Sequence, residues 1–204
     1  MENLLYKFDL EMGKVIGVDE AGRGPLAGPV VAAAALLKNY SPVLDEINDS
    51  KKLTEKKREK IFSTLEENFL IGVGIATVEE IDEINILNAT FLAMRRALEN
   101  LRKQGVSLEE YLILVDGNHK IRECQLNQEP IIKGDGKSLA IAAASIAAKV
   151  TRDRIMLDMI KEYPDYEFEK HKGYGTKKHR EIILEKGATE IHRKSFLKKI
   201  IGER

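Results

Sequence analysis

The chain has 204 residues, 43% of them hydrophobic and 32% charged, and its 33 basic side chains balance 33 acidic ones. This composition is typical of a soluble globular chain with one core. Cys124 is the only cysteine, which excludes an internal disulfide. The longest uncharged run, residues 24–37, is broken by glycine and proline and is too short to span a membrane. The first residues lack a signal-peptide pattern, so we expect a cytoplasmic protein.

The first predicted elements are two buried strands that lie close together in the chain. Val15, Ile16 and Val18 are β-branched and bounded by glycine, and an apolar run follows over residues 28–37. Apolar spacing and caps predict the remaining elements. They are a helix over 54–65, a strand over 69–78, a helix over 81–104, strands over 111–118 and 130–136, a helix over 138–162, and helices over 177–186 and 194–201. Strands that come first in succession and then alternate with helices indicate a mixed α/β sheet.

Charge is distributed unevenly along the chain, although the whole is neutral. Residues 170–204 hold 11 Lys or Arg and 4 Asp or Glu, a net +7, and the remainder carries −7. Such asymmetry favours a surface for polyanions. A set of solvated helical faces explains the same charge equally well.

Acidic residues lie at the ends of three of the predicted strands. They are Asp19 with Glu20, Asp116, and Asp135. A single Asp-Gly pair usually marks a turn, but strands of one sheet can bring their ends together. Converging carboxylates repel one another unless a cation or a basic partner lies among them. Oxygen-only ligands suit Mg²⁺ or Mn²⁺ rather than zinc, and two such ions side by side are typical of phosphoryl hydrolysis.

Other site chemistries fit the sequence poorly. Gly136-Lys137-Ser138 resembles the end of a phosphate-binding loop, but Ile131 stands where the loop requires glycine. The four histidines lack the spacing of a zinc site. No serine lies in a Gly-x-Ser-x-Gly context, which argues against a serine hydrolase.

Seven segments, in order along the chain, resemble the motifs of the ribonuclease HII family. They are residues 19–30 (DEAGRGPLAGPV), 49–53 (DSKKL), 115–117 (VDG), 133–135 (KGD), 142–153 (AAASIAAKVTRD), 171–176 (HKGYGT) and 192–196 (HRKSF). Each segment alone is weakly specific, and the ordered set is highly specific. Gly136 and Ala147 depart from the family's usual residues without touching a motif ligand.

The resemblance implies a ribonuclease H-like α/β fold, with a mixed five-stranded sheet flanked by helices and a helical C-terminal extension. Residues 1–165 would form the catalytic domain and residues 166–204 a basic helical segment packed on it. The implied activity is metal-dependent cleavage of RNA paired with DNA, and of single ribonucleotides in duplex DNA, 5′ to the ribonucleotide. By matching position, Asp19, Glu20, Asp116 and Asp135 would hold two Mn²⁺ or Mg²⁺ ions.

The same resemblance assigns a reader of the sugar. Gly22, Arg23 and Gly24 would sense the ribose 2′-hydroxyl, since glycines let the backbone come close to the minor groove. Arg23 is also positioned to add a phosphate contact. Tyr174, flanked by glycines, would stack on the sugar beside the cleavage point, although composition alone suggests an ordinary turn tyrosine.

Four further residues match family positions with less defined roles. Lys51 and Lys52 resemble phosphate-contacting lysines, and a solvated helix start explains them as well. Arg193 and Ser195 belong to the last motif and are candidates for phosphate binding or for docking of the basic tail. We group all four with the substrate-binding residues.

Three other functions compete with this hypothesis. Ribonuclease HIII shares the fold, but it typically has a Gly-Lys-Gly sensor and a preceding binding domain, whereas Arg23 stands here and 18 residues precede Asp19. A DNA endonuclease on the same fold would not need the Gly-Arg-Gly turn. A hybrid-binding module without catalysis would retain four costly acids for no purpose. We expect a monomer, without a membrane partner.

Overall fold

The protein, described here from a computed structural model, contains one five-stranded mixed sheet. The structure describes residues 3–47 and 55–201, so the predicted phosphate contacts Lys51 and Lys52 lie outside the described residues. The strands are β1 (Val15–Ala21), β2 (Val30–Leu37), β3 (Phe69–Ala76), β4 (Leu112–Asp116) and β5 (Gln128–Ile131). Their order is β3-β2-β1-β4-β5, with β1 antiparallel to β2 and parallel to β4. The predicted mixed five-stranded sheet is therefore confirmed.

Seven α-helices lie in the described part of the chain. They are α1 (Leu4–Met12), α2 (Glu55–Asn68), α3 (Val78–Lys103), α4 (Leu139–Asp158), α5 (Phe168–His171), α6 (Lys177–Lys186) and α7 (Lys194–Ile201). The predicted helices over 177–186 and 194–201 are confirmed. The sequence did not predict α1 or α5. Helix α3 is broken at Asn85, whose φ is 67° and whose side chain caps the helical turn that follows.

The sheet is covered on both faces. Strand β2 is an unbroken apolar run because its alternate side chains enter two different cores. Ala32 and Ala34 face a core built mainly with α3, whereas Ala33 and Ala35 face a second core built with α2 and α4. Small side chains in β2 let the helices approach closely. At Gly17 of β1 a methyl group would lie 2.2 Å from the Ala140 backbone, so α4 packs directly on the strand that carries the first two acids.

The C-terminal segment adds a third apolar cluster beside the sheet. Phe168 and Leu197 pack there with Leu26 and Ala27, which belong to the loop between β1 and β2. Ala27 also forms an isolated β-bridge with His192. The tail therefore packs on the loop that follows the acids, while the domain boundary at residue 165 stays a prediction. Among the described helices, none is both long and apolar enough to cross a membrane.

Candidate active site

Asp19 and Glu20 lie at the carboxyl end of β1, as predicted, and within the strand itself. The strand continues to Ala21, and the two acids pair in register with Ala33 and Ala32 of β2. Since neighbouring residues of a strand face opposite sides of a sheet, Asp19 is 4% exposed and Glu20 is less buried. Asp19 Oδ1 accepts a hydrogen bond from the Glu20 amide at 2.7 Å. The two carboxylates therefore share a short stretch of backbone at the site.

Asp116 ends β4 as predicted, whereas Asp135 does not end a strand. Because β4 runs parallel to β1, Asp116 arrives at the same edge of the sheet as the first two acids. Strand β5 stops at Ile131, and a left-handed residue, Lys133 (φ 56°), leads into the 3₁₀ turn Gly134–Gly136 that contains Asp135. The predicted strand over 130–136 is therefore wrong in its second half. The turn stays attached to the site, since the Gly134 amide donates to Asp116 Oδ1 at 2.7 Å.

A cleft of about 440 Å³ opens at this edge of the sheet. Its lining residues come from β1 and the following loop, β4, α4 and the segment after α5. They are Asp19, Glu20, Ala21, Gly22, Arg23, Gly24, Asp116, Ser145, Lys149 and Tyr174. The structure thus brings three of the four predicted acids together with the predicted sugar sensor and the predicted stacking tyrosine. Asp135 is buried and is not part of this lining.

The acids of the cleft are electrostatically strained. Burial, together with the charges of Glu20 and Asp116, raises the pKa of Asp19 well above its usual value. Burial also raises the pKa of Glu20, with a smaller contribution from Asp116, and Arg23 opposes this shift. Arg23 Nη1 lies 3.4 Å from Glu20 Oε1 and is half exposed, so it compensates only part of the charge. A cation bound in the cleft would relieve the remainder.

The donor set fits a hard divalent cation that is completed by other ligands. In the part of the chain that the structure describes, no three His, Cys, Asp or Glu side chains form a group that could hold an ion by themselves. Mg²⁺ in enzymes is commonly held by one or two carboxylates, with waters and substrate phosphate oxygens filling the other positions. Asp19, Glu20 and Asp116 supply the carboxylate oxygen ligands that such an ion requires, and the raised pKa values of Asp19 and Glu20 show that positive charge is favoured beside them.

Arg193 hydrogen-bonds to the backbone of the glycine-rich loop after β1. Its side chain is fully buried, and its guanidinium donates hydrogen bonds of 2.6–3.2 Å to backbone carbonyls. The accepting carbonyls belong to Gly22, Arg23, Pro25, Gly28 and Pro29. The sequence grouped Arg193 with the substrate-binding residues; in this structure its donors serve the loop, and the other sequence hypothesis, docking of the tail, describes it.

A second buried arginine, Arg152 of α4, supports the same loop. It donates to the carbonyls of Ala27, Pro29 and Lys172, each at 3.0 Å. Gly22 (φ +95°) lies against it so closely that a methyl group there would be 2.1 Å from Arg152 Nε. The two guanidiniums therefore fix the path of the loop through its carbonyl groups, and Gly22 is required by both its conformation and its contact.

Ser195 also serves the fold in this structure. Asp82 of α3 accepts hydrogen bonds from the amides of Lys194 and Ser195 at 2.8 and 3.0 Å, and from the Ser195 hydroxyl. This arrangement caps the start of α7, where free amide groups favour a carboxylate. The prediction that Ser195 contacts substrate is not what this geometry favours, because its hydroxyl donates to Asp82.

Helix α4 contributes residues that sequence reasoning did not assign. The Ser145 hydroxyl hydrogen-bonds to Asp19 and lowers the pKa of that carboxyl against the larger effect of burial. Lys149 lines the cleft and forms an ion pair of 2.6 Å with Asp153. Ser145, Lys149 and Arg152 are spaced four and three residues apart, so they lie on one helix face. This spacing is the signal that could have identified them.

Tyr174 lines the same cleft as the acids and lies beside the loop that contains residues 22–24. Its ring is 42% exposed, and a methyl group on Gly24 would lie 3.9 Å from its Cε1 atom. Lys149 Nζ and Arg152 Cζ lie 5.8 and 5.7 Å from the ring centroid. An exposed aromatic ring bordered by cations offers a surface on which a sugar or base can stack.

Comparisons with known proteins identify the family to which the chain belongs. The sequence model of the family described as Ribonuclease HII matches residues 16–199. Ribonuclease HII of Fusobacterium nucleatum is 67% identical over 202 residues, covering 98% of this chain and 94% of that protein. Ribonuclease HII of Caldicellulosiruptor bescii is 54% identical over 189 residues, covering 92% and 88%. These matches favour ribonuclease HII over the other enzymes and the non-catalytic module considered from the sequence.

Solved structures share the fold. Ribonuclease H2 from Pyrococcus horikoshii has a TM-score of 0.66 at 29% identity, covering 92% of this chain and 97% of that one. Bst-RNase HIII in complex with Mn²⁺ has a TM-score of 0.76 at 20% identity, covering 96% and 72%, and this likeness concerns the fold alone. The family model that matches residues 16–199 decides between ribonuclease HII and ribonuclease HIII. The chain belongs to the ribonuclease HII family of endoribonucleases.

Proposed function

We propose that this endoribonuclease cuts immediately 5′ to a ribonucleotide, in RNA–DNA hybrids and at single ribonucleotides in duplex DNA. The products would carry 3′-hydroxyl and 5′-phosphate ends, and the role would be removal of ribonucleotides from DNA. The observation that supports this proposal most strongly is that one cleft combines acids, the glycine-rich loop and Tyr174.

Asp19, Glu20 and Asp116 are proposed to hold Mn²⁺ or Mg²⁺, with Asp135 joining them from the turn beside Asp116. Bound metal ions would activate a water molecule and stabilise the leaving oxygen. Ser145 orients the Asp19 carboxylate through its hydroxyl. A cation in the cleft would counter the burial that raises the pKa of Asp19 and of Glu20, since a nearby positive charge favours the charged form.

Gly22, Arg23 and Gly24 are proposed to read the 2′-hydroxyl, and Tyr174 to stack on the adjacent sugar. The carbonyls of Gly22 and Arg23 are occupied by Arg193 on the inner side of the loop. Arg23 and Gly24 are exposed toward the cleft, where the backbone is available to a ligand. This loop continues directly from β1, which carries Asp19 and Glu20. Recognition of the 2′-hydroxyl and cleavage of the phosphodiester bond would therefore take place at adjacent points of one chain segment.

The test is a duplex DNA with one ribonucleotide, incubated with Mn²⁺ or Mg²⁺, with the product ends mapped at single-nucleotide resolution. We expect one cut, 5′ to the ribonucleotide, and no cut in the same duplex without it. Equal cleavage of the all-DNA duplex would contradict the sensor. Cleavage on the 3′ side would contradict the proposed position of the scissile phosphate. Salt should weaken binding through the phosphate contacts.

A further inference from the structure

Three buried histidines lie behind the turn that carries Tyr174. They are His171 at the end of α5, His179 in α6 and His192 before α7, and they are respectively 7%, 0% and 1% exposed. The rings of His171 and His179 stack with centroids 4.2 Å apart, and His192 lies 5.2 Å from His179. None of the three lines the cleft, so their role is not explained by contact with substrate.

Backbone groups determine which nitrogen of each ring carries the proton. The Thr189 amide donates to His192 Nδ1 at 3.0 Å, which leaves the His192 proton on Nε2. His192 Nε2 lies 3.0 Å from His179 Nε2, so His179 accepts there and carries its own proton on Nδ1. His179 Nδ1 then donates to the carbonyl of Tyr174 at 3.0 Å. A chain of hydrogen bonds, each donated in the same direction, therefore runs from the Thr189 amide through His192 and His179 to the Tyr174 carbonyl.

The third ring holds the residue before Tyr174. The Gly173 amide donates to His171 Nδ1 at 3.2 Å, and His171 Nε2 donates to the Tyr166 carbonyl at 2.9 Å. Both sides of the Tyr174 turn are thus fixed by neutral imidazoles, through an amide on one side and a carbonyl on the other. Phe168 packs edge-on against His171 and His179, with centroids 5.7 and 5.6 Å away, which restricts their rotation.

This cluster is not a metal site. All six ring nitrogens are engaged in the contacts described above or, for His192 Nδ1, also with the Thr189 hydroxyl at 2.8 Å. Within the described residues no group of three potential ligands could hold an ion. Burial lowers the pKa of His179 and of His192 to about 4, so both rings are neutral near pH 7. A neutral, fully hydrogen-bonded cluster is suited to holding a backbone in place.

We infer that His179, oriented by His192, is a positioning residue for Tyr174. The inference rests on the proposed stacking role of Tyr174. Tyr174 is 42% exposed, so its direction of entry into the cleft depends on how its backbone is held. Its carbonyl accepts from His179 Nδ1 and also from the Thr176 amide at 2.8 Å, and its amide donates to the His171 carbonyl at 2.8 Å. The His179 bond is the one among these that comes from a side chain. His179 does not line the cleft, so it would act on the site through the turn.

Variants of His179 separate this role from a contribution to folding. His179→Asn places an amide N–H where Nδ1–H stands, whereas His179→Leu fills the space without a donor. We expect His179→Leu to lower kcat/KM on the single-ribonucleotide duplex by about tenfold, in the range typical of supporting groups around an active site. His179→Asn should stay within about threefold of the original chain, since it keeps the donor. Assays are run well below the measured Tm of each variant.

A double-mutant cycle with Tyr174→Ala provides the deciding comparison. If His179 acts through Tyr174, His179→Leu in the Tyr174→Ala background should change kcat/KM by less than about twofold, because residues of one unit are not additive. A full tenfold further loss would overturn the inference. If Tyr174→Ala alone leaves cleavage unchanged, the proposed stacking role has failed, and this result is distinct from failure of the histidine chain.

Nitrogen-15 spectra of the imidazoles test the proton order without any assay of cleavage. At pH 7, His179 should be the Nδ1–H tautomer, and His171 and His192 the Nε2–H tautomers. Exposed His119 provides the solvated reference in the same sample. An Nε2–H tautomer or an imidazolium at His179 would contradict the inference, since neither can accept from His192 and donate to Tyr174 at once.

Discussion

Two groups of buried titratable side chains in this protein differ in whether the fold supplies their partners. In the cleft, Asp19 lies beside Glu20 and Asp116, and its pKa is raised because like charges and burial oppose ionisation. In the C-terminal segment, His179 and His192 hydrogen-bond to each other and to backbone, and their pKa values are lowered by burial. Within the described residues, Arg23 compensates only part of the carboxylate charge, whereas the histidines are fully hydrogen-bonded within the fold. Buried ionisable groups therefore indicate a binding site only when their charges remain uncompensated.

The largest expected effect comes from removing one charge of the incomplete group. Asp19→Asn should lower the rate of cleavage by more than about a hundredfold, since loss of a group that merely supports a metal ligand already costs about 10–100-fold. Hybrid binding, measured by fluorescence anisotropy at fixed salt, should change little because the proposed role of this carboxylate is to hold metal and not to contact nucleic acid. Asp158→Asn is the matched control, since that carboxylate is exposed and pairs with Lys161.

Asp19→Asn also tests whether charge repulsion among the buried acids destabilises the metal-free protein. Without metal, Asp19→Asn should unfold at a higher temperature than the original chain, because a repelling buried charge is removed. Adding Mn²⁺ should raise the Tm of the original chain more than that of the variant, since binding to the folded state stabilises by mass action. Equal shifts in both proteins would mean that Asp19 does not hold the ion.

The next largest effect is expected at Arg193, which hydrogen-bonds to the glycine-rich loop after β1. Arg193→Lys keeps the charge but cannot reproduce the planar fork. Several buried carbonyls would lose their donors at about 1–3 kcal/mol each, so we expect the free energy of unfolding in urea to fall by about 3 kcal/mol. Arg102→Lys, in an exposed ion pair with Glu109, should change it by less than about 1 kcal/mol.

Arg193→Lys should also reduce the preference for ribonucleotide-containing duplex over all-DNA duplex, because the loop would no longer be held in one conformation. This preference is a ratio of two cleavage rates measured on the same enzyme. A loss of stability with an unchanged ratio would place Arg193 in the fold alone.

Acid should destabilise the histidine cluster. In the folded protein His179 has a pKa of about 4, against 6.5 for an ordinary histidine, so the unfolded chain binds more protons between these values. Stability contributed by this group is present above pH 6.5 and is lost as the pH falls toward 4, by about 3 kcal/mol for one ring at about 1.4 kcal/mol per pKa unit. Urea unfolding at several pH values measures this slope. His179→Leu should flatten it, and an unchanged slope would show that other groups cause it.

The smallest effect is expected at Ser195. Ser195→Ala removes one hydroxyl that donates to Asp82 and should cost about 1 kcal/mol of stability. Cleavage of the single-ribonucleotide duplex should be unchanged at saturating metal. A selective rise in KM, with stability unaffected, would instead restore the sequence-based assignment of Ser195 to substrate binding.

Much of this molecule could be predicted from local patterns. The β-branched run at Val15, Ile16 and Val18 and the helical spacing of residues 177–186 correspond to a strand and a helix, because both depend on periodic burial. The family motifs identified Asp19, Glu20 and Asp116, which do meet in one cleft. Asp135 was placed at a strand end that does not exist, since the left-handed Lys133 breaks the run in a way that hydrophobicity does not reveal.

Local patterns are enough to predict most of the strands and helices, the family and the acids of the cleft, because these depend on composition and spacing within short segments; α1 and α5 are the helices that such patterns missed. Tertiary structure decided the rest. Helix α1 is tied to the start of α4 through Asp9, whose Oδ2 accepts from the Ala140 amide at 2.8 Å across 131 positions of chain. Arg193 and His179 likewise act on loops that no local pattern connects to them. Hydrogen bonds between distant residues satisfy buried groups only once the fold is formed, and for that reason the partners of Arg193 and His179 cannot be identified from the sequence.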